Sequence, residues 1–288
     1  MDGVQTDPGY KLVQLATGAH SVRSLAYEET FHPVIGPVAE AEALYVRQLG
    51  LVKRLRRTPG EFVIWDVGLG AAANVLTVLQ STRQIPCSLR LLSFDQTLEP
   101  LEFALGHAAA LGYFGGYEKQ VDRFLREHDV QFQADAQRVT WELHLGDFPT
   151  LLKQPATRNF PKPHAIMFDA FSPARNPEMW TQPLFENLFG LLDPERPCAL
   201  PTYSRSTMLR VTLLLAGFIV GVGHATGEKE ETTIAANTME LLDEPLGRMW
   251  LARALRSSSA EPLWEPVYRQ ARLSPETWEK LQEHPQFS

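Results

Sequence analysis

Short apolar runs alternate with amphipathic stretches through the middle of this chain, and that alternation predicts its architecture. Residues 62–67, 89–94, 141–145, 165–168 and 198–203 are apolar-rich runs of strand length. Between them, residues 71–79, 100–111 and 207–216 repeat apolar positions at helical spacing, the last closed by Gly217. Strands separated by helices imply a parallel sheet with right-handed crossovers. Residues 218–222 and 232–236 read as a final antiparallel pair. Residues 113–138 are charged and helical, with Val121, Phe124, Leu125 and His128 on the apolar side, and are expected to form an insertion. There is no internal repeat.

Two flanking segments differ from this core. Residues 1–60 read as a helical N-terminal extension, with a stripe of Ala41, Leu44, Tyr45, Leu49 and Val52 predicting one helix over 38–57. Lys53, Arg54, Arg56 and Arg57 close it, either complementing the helix dipole or contacting RNA. Residues 61–238 form the expected central domain. Residues 239–288, with Pro245, Ser257–Ser259, Pro262 and Pro266, form a tail that wraps the domain or dangles, and Trp250, Trp264 and Trp278 favour docking.

The candidate chemistry lies at the strand ends, where open α/β sheets bind ligands. The run 61–67 breaks at Gly68 and Gly70, which permit a tight turn and close backbone approach. Asp95 follows at about the 20-residue spacing of an acid that binds ribose hydroxyls. Asp147 falls where a carboxylate could accept from an exocyclic amine such as that of adenine. Asp169 opens onto the reacting centre. Each has a plainer reading, a turn glycine or a helix N-cap, but their coincidence at four strand ends points to a nucleotide-type cofactor. The third position of Gly-x-Gly-x-x-Gly is Ala73, and no Gly-x-x-x-x-Gly-Lys-Ser/Thr loop exists. A cofactor without phosphates, S-adenosylmethionine, fits such a loop better.

Composition narrows the picture. A chain of 288 residues with 44% hydrophobic content can build one large core. No window holds the roughly 18 apolar residues of a membrane span. The N-terminus is acidic where a signal peptide carries bases, so a cytoplasmic protein is expected. Cys87 and Cys198 sit in or beside apolar runs and read as isolated buried thiols, with no metal site visible. A net charge of −7 argues against bulk nucleic-acid affinity and leaves room for a local basic patch.

The string Asp169-Ala-Phe-Ser-Pro-Ala-Arg-Asn-Pro-Glu-Met-Trp180 resembles the Asp-x-Phe-x-Pro-x-x-Asn-Pro-x-x-Trp signature of the MnmC-type methyltransferases. Further matches are the Tyr27-x-Glu29-x-x-His32 start, Glu42 before Tyr45-Val46, Gly68-Leu-Gly70 with Asn74, Gly146-Asp147, and Thr202-Tyr203-Ser204. The resemblance covers about residues 20–237. It implies a class I methyltransferase, a Rossmann-like α/β sheet, mostly parallel with an antiparallel final strand. It departs from the family at Ala72, where a third glycine is usual, and at Asp95, where Glu is usual.

The resemblance also implies N-methylation of an aminomethyl group on the wobble uridine of tRNA, in the anticodon region. Cofactor contacts are then expected from Asp66, Gly68, Gly70, Asn74, Asp95, Asp147 and Asp169. Asp169 would orient the amine or take its proton, helped by Tyr203. Phe171 and Trp180 either stack on the uracil or pack under a loop. Asn176-Pro177 either binds substrate or forms a rigid turn and cap. Glu42 and Arg175 complete the expected substrate set, and Arg23, Arg205 and Arg210 join Arg175 as candidate phosphate contacts. No FAD-binding half precedes Ser288, so a monofunctional methyltransferase is expected, its oxidase step absent or supplied by another protein. Two rival readings are a small-molecule amine methyl- or aminopropyl-transferase, which would suit the acidic charge, and a non-catalytic domain that binds RNA or a partner. The paired acid motif usual after strand four in aminopropyl transferases is not seen at Asp169.

Overall fold

The structure, a computed structural model, describes residues 9–227 and 230–288. Ten strands are present among them: β1 (Tyr10–Gln14), β2 (His20–Ser24), β3 (Glu61–Val67), β4 (Cys87–Asp95), β5 (Asp129–Ala134), β6 (Gln137–Leu145), β7 (Ala165–Phe168), β8 (Ala199–Thr202), β9 (Ile219–Gly223) and β10 (Thr232–Ala236). The first two form a separate antiparallel hairpin. The rest form one sheet in the order β5-β6-β4-β3-β7-β8-β10-β9. Strands β6, β4, β3, β7 and β8 are parallel, whereas β5 and β10 run antiparallel to their neighbours.

The central strand explains why its run is continuously apolar. Both faces of β3 are covered, so Phe62 and Ile64 enter one core while Val63, Trp65 and Val67 enter the other. On the first face lie Tyr45, Val75, Leu79 and Phe124, with Phe124 stacked on Trp141 at 4.0 Å. On the second lie Phe168, Trp180, Phe185, Leu209 and Leu213. Each such side chain contributes about 1.5–3 kcal/mol by leaving water. The chain order reverses direction at β3: β4 and β6 follow on one side, β7 and β8 on the other. The crevice between the carboxyl ends of β3 and β7 is therefore the switch point where a ligand fits.

Three expectations are corrected. Residues 113–138 are not only helical, because the helix Glu118–Glu127 turns at His128 into β5, which extends the sheet edge. The helix over 38–57 is interrupted. It runs as Pro37–Ala41, a π-turn Glu42–Arg47, and Leu51–Arg57 after Gly50 at φ 57°. The N-terminal extension also contains the β1–β2 hairpin, which the helical reading did not anticipate.

The tail docks on the second face. Leu251, Ala254, Leu263, Leu281 and Phe287 are buried there. The Gln286 amide donates to the carbonyls of Val220 and Leu246 and accepts from Val220 N–H, which pins the chain end to β9. No helix among the described residues is long and apolar enough to cross a membrane.

Candidate active site

A cavity of about 490 Å³ opens at the β3/β7 crevice. One wall comes from the glycine loop and the ends of β4 and β7. The other comes from residues 10–40, so the N-terminal segment encloses the site. Five carboxylates line the cavity (Glu28, Glu29, Glu40, Asp95 and Asp169), against two basic side chains, Arg23 and His32.

The glycine loop is required by geometry. Gly68 has φ +88°, and a Cβ there would lie 2.6 Å from the carbonyl oxygen of Asp169. Gly70 has φ +50° and lies against the Phe31 ring. Ala72 also adopts a left-handed conformation, φ 57°, as the N-cap of the helix Ala73–Thr82. The alanine in place of the family's glycine thus accepts backbone strain of about 1 kcal/mol rather than a different turn.

Asp95 organises this loop. Its carboxylate accepts from the N–H of Gly70 at 2.8 Å and of Gln96 at 2.7 Å. Burial pushes its pKa up, and the backbone N–H groups partly oppose that. Asp66 lies behind the loop, 1% exposed. It accepts from Ser93 at 2.8 Å, and Ser93 in turn accepts from the Trp141 indole at 2.9 Å. Burial raises the Asp66 carboxyl to about 7 despite the Ser93 bond. Asp66 does not line the cavity.

Asp169 is fixed from every side. Asn74 Nδ2 donates to its Oδ2 at 2.8 Å. The peptide carbonyls on either side are held by tyrosines: Tyr45 donates to Phe168 at 3.4 Å and Tyr203 to Ala170 at 3.1 Å. Burial drives both phenols well above their ordinary range, so they act as neutral donors. His32 sits between two acids, Nδ1 at 3.3 Å from Glu40 and Nε2 at 3.5 Å from Asp169. Burial alone would lower the imidazole's pKa, but Asp169 and Glu40 together raise it to about 9. The ligand-type atoms of the three lie within 4.8 Å of one another.

The substrate-side residues divide. Phe171 lines the cavity, stacked on Tyr27 at 4.1 Å and 16°, and Asn176 lines it nearby. Trp180 does not: it is buried at 0% exposure, and its indole donates to the Phe171 carbonyl at 2.7 Å. It supports the loop from beneath. Arg175 is exposed and paired with Glu28 at 2.8 Å. Glu42 accepts from Ser81 at 2.7 Å, outside the cavity. Glu40 occupies the place expected of it, because two residues turn a helix by roughly 200°. Asp147 caps its own helix, accepting from Thr150 N–H at 3.0 Å, and meets the site only through Gln96. Arg210 is buried against Thr232, Thr233 and Glu231, which removes it from phosphate binding.

The residues missed by the sequence reading are Glu40 and Tyr10, while Tyr27, Glu29 and His32 had been matched without a role. Glu29 accepts from Ser172 N–H at 3.1 Å, tying the N-terminal segment to the loop after β7.

This donor set suits S-adenosylmethionine. Acidic side chains would complement its ammonium and sulfonium, the Asp95 carboxylate could accept from a ribose diol, and the described cavity lining holds only Arg23 and His32 as basic side chains. Gly68, Gly70, Asn74, Asp95 and Asp169 are the residues that would hold it.

Comparisons with known proteins point the same way. A family described as S-adenosyl-L-methionine-dependent methyltransferase matches residues 116–238. The tRNA 5-methylaminomethyl-2-thiouridine biosynthesis bifunctional protein MnmC of Methylibium petroleiphilum is 28% identical over 245 residues, 81% of this chain and 36% of that protein. Its counterpart from Cupriavidus metallidurans is 30% identical over 220 residues, 73% of this chain and 31% of that protein. The chain thus spans about a third of the length of these curated relatives. The crystal structure of MNMC2 from Aquifex aeolicus shares the fold at TM-score 0.69 and 22% identity, covering 97% of this chain and 84% of that one.

Proposed function

Because the chain carries an MnmC-type methyltransferase domain, we propose that it methylates the primary amine of 5-aminomethyl(-2-thio)uridine at the tRNA wobble position, in the cytoplasm. The observation that carries this reading is a rigidly held Asp169 at the switch point, facing an acidic cavity with an aromatic wall. The cofactor supplies an electrophilic methyl group on sulfur, which the amine attacks in line.

The protein's contribution is alignment and proton handling. Alignment alone can be worth ~7–11 kcal/mol. Gly68 and Gly70 would let the backbone approach the cofactor, and Asp95 would accept from its ribose. Tyr27 and Phe171 present ring faces against which a uracil can stack. An alkylamine with a pKa near ~10.4 arrives as an ammonium without a lone pair. Asp169 would accept a hydrogen bond from it and take one N–H proton first; the lone pair so freed then forms the N–C bond as the C–S bond breaks. His32 is already protonated at neutral pH, so it is not the base. It balances Glu40 and holds the Asp169 carboxylate in orientation.

The test is product analysis. tRNA bearing aminomethyluridine is incubated with the protein and S-adenosylmethionine, then digested and analysed by mass spectrometry. A gain of one methyl on the wobble nucleoside is expected. Methylation of free polyamines with the aminomethyluridine tRNA left unchanged would favour the small-molecule reading instead.

A further inference from the structure

The outer surface of the tail carries cations in a chain whose net charge is −7. Arg253 lies on the exposed side of the helix Arg248–Arg256. Residues 264–272 form a fully exposed loop that presents Trp264 at 42% and Tyr268 at 40% exposure, with Arg269 and Arg272 beside them. Arg205, Arg253, Arg269 and Arg272 form no ion pair among the described residues, so their guanidinium groups are open to phosphate, unlike Arg83, Arg123, Arg126 and Arg175, which are paired with acids. Of the two acids in this stretch, Glu261 is taken up by Ser274, Thr277 and the Trp264 indole, while Glu265 is exposed within the loop.

Its position connects to the site. Gln182 N–H donates to the Leu263 carbonyl at 2.8 Å, which anchors the loop beside the segment following Asn176 and Trp180. On the other flank, Arg205 and Arg253 both act electrostatically on Arg210, which brings the tail helix close to the chain just beyond Tyr203. The other basic run, Lys53 to Arg57, is at the opposite end of the sheet, where Arg54 donates to the carbonyls of His164 and Pro197. That end lies about 23 Å from the cavity along a seven-residue strand.

We propose that this patch, Arg205, Arg253, Trp264, Tyr268, Arg269 and Arg272, is a backbone-binding surface for the RNA outside the modified nucleotide. The inference rests on the tRNA reading above. Guanidinium groups neutralise phosphates, and exposed Trp and Tyr faces stack on unpaired bases.

The test compares wild type with an R253Q/R269Q/R272Q variant, and separately with Tyr268→Ala, for binding a full-length tRNA transcript across a salt series. The triple variant should lower the slope of log affinity against log salt by about 2, from three contacts at roughly 0.7 each. If the two proteins bind equally at 1 M salt, that corresponds to the variant binding about a hundredfold more weakly than wild type at 0.1 M. Tyr268→Ala should weaken binding at all salts and leave the slope alone. Cofactor affinity and melting temperature should not move in either. Unchanged slope and affinity in the triple variant, alongside wild-type protein that binds and methylates tRNA, overturns the patch alone. Wild-type protein that binds no tRNA overturns both this inference and the function on which it rests.

Discussion

His32→Gln separates electrostatics from packing at the centre of the site. The imidazole has a side-chain exposure of 7% and lies between Glu40 and Asp169, which hold it protonated up to about pH 9, against an ordinary 6.5. The sign follows from proton linkage. The folded protein holds this proton more tightly than the unfolded chain, so the stabilisation is fully present below pH 6.5 and is lost as the pH rises through about 9. At roughly 1.4 kcal/mol per pH unit, the gap is worth about 3 kcal/mol, a large fraction of the roughly 5–15 kcal/mol that holds a domain folded. Asp66, whose folded pKa of about 7 lies above its unfolded value, loses its contribution as the pH rises through about 7, but it is present in both proteins and cancels in their difference. The assay is urea denaturation of wild type and His32→Gln at pH 6.5, 7.5 and 9. The deficit of the variant should shrink by about 3 kcal/mol between the lowest and highest pH. A deficit that stays constant across the series would refute the buried imidazolium.

Three further outcomes follow from the loop and its support. Gly68→Ala should cost more than about 2 kcal/mol and abolish cofactor binding, because its Cβ meets the Asp169 carbonyl at 2.6 Å in a left-handed backbone; a melting temperature equal to wild type would contradict this. Ala72→Gly relieves strain but removes a buried methyl, so stability should change by less than about 1 kcal/mol and cofactor affinity by less than tenfold, as calorimetry would read. Trp180→Phe loses the bond to the Phe171 carbonyl and should cost about 1–2 kcal/mol in denaturation while cofactor affinity holds.

What was legible in the sequence follows from which surfaces are buried twice. The parallel strands announce themselves because β3, β4 and β7 are covered on both faces and are rich in apolar residues on both sides, with only isolated polar positions such as Asp66, Arg90 and Ser93. The edge strand β5 reads Asp-Val-Gln-Phe-Gln-Ala, a polar alternation that follows directly on an amphipathic helix, so its period merges with the helix's. The glycine loop, Asp95 and Asp169 were visible from strand-end position alone. Glu40 was not, because a sequence read as one continuous helix does not disclose which of Glu40 and Glu42 faces inward once a π-turn intervenes. Phe171 and Trp180 belong to one motif, yet only the folded loop shows that the phenyl faces the cavity and the indole faces the core.

The most direct test of the account is single-turnover methyl transfer from bound S-adenosylmethionine to aminomethyluridine tRNA by wild type and Asp169→Asn. The account predicts that the variant, at saturating cofactor and tRNA, transfers methyl about 10²–10⁴-fold more slowly, the usual cost of losing a positioned proton acceptor. Transfer by the variant at the wild-type rate would contradict the role of Asp169 as the group that faces the amine.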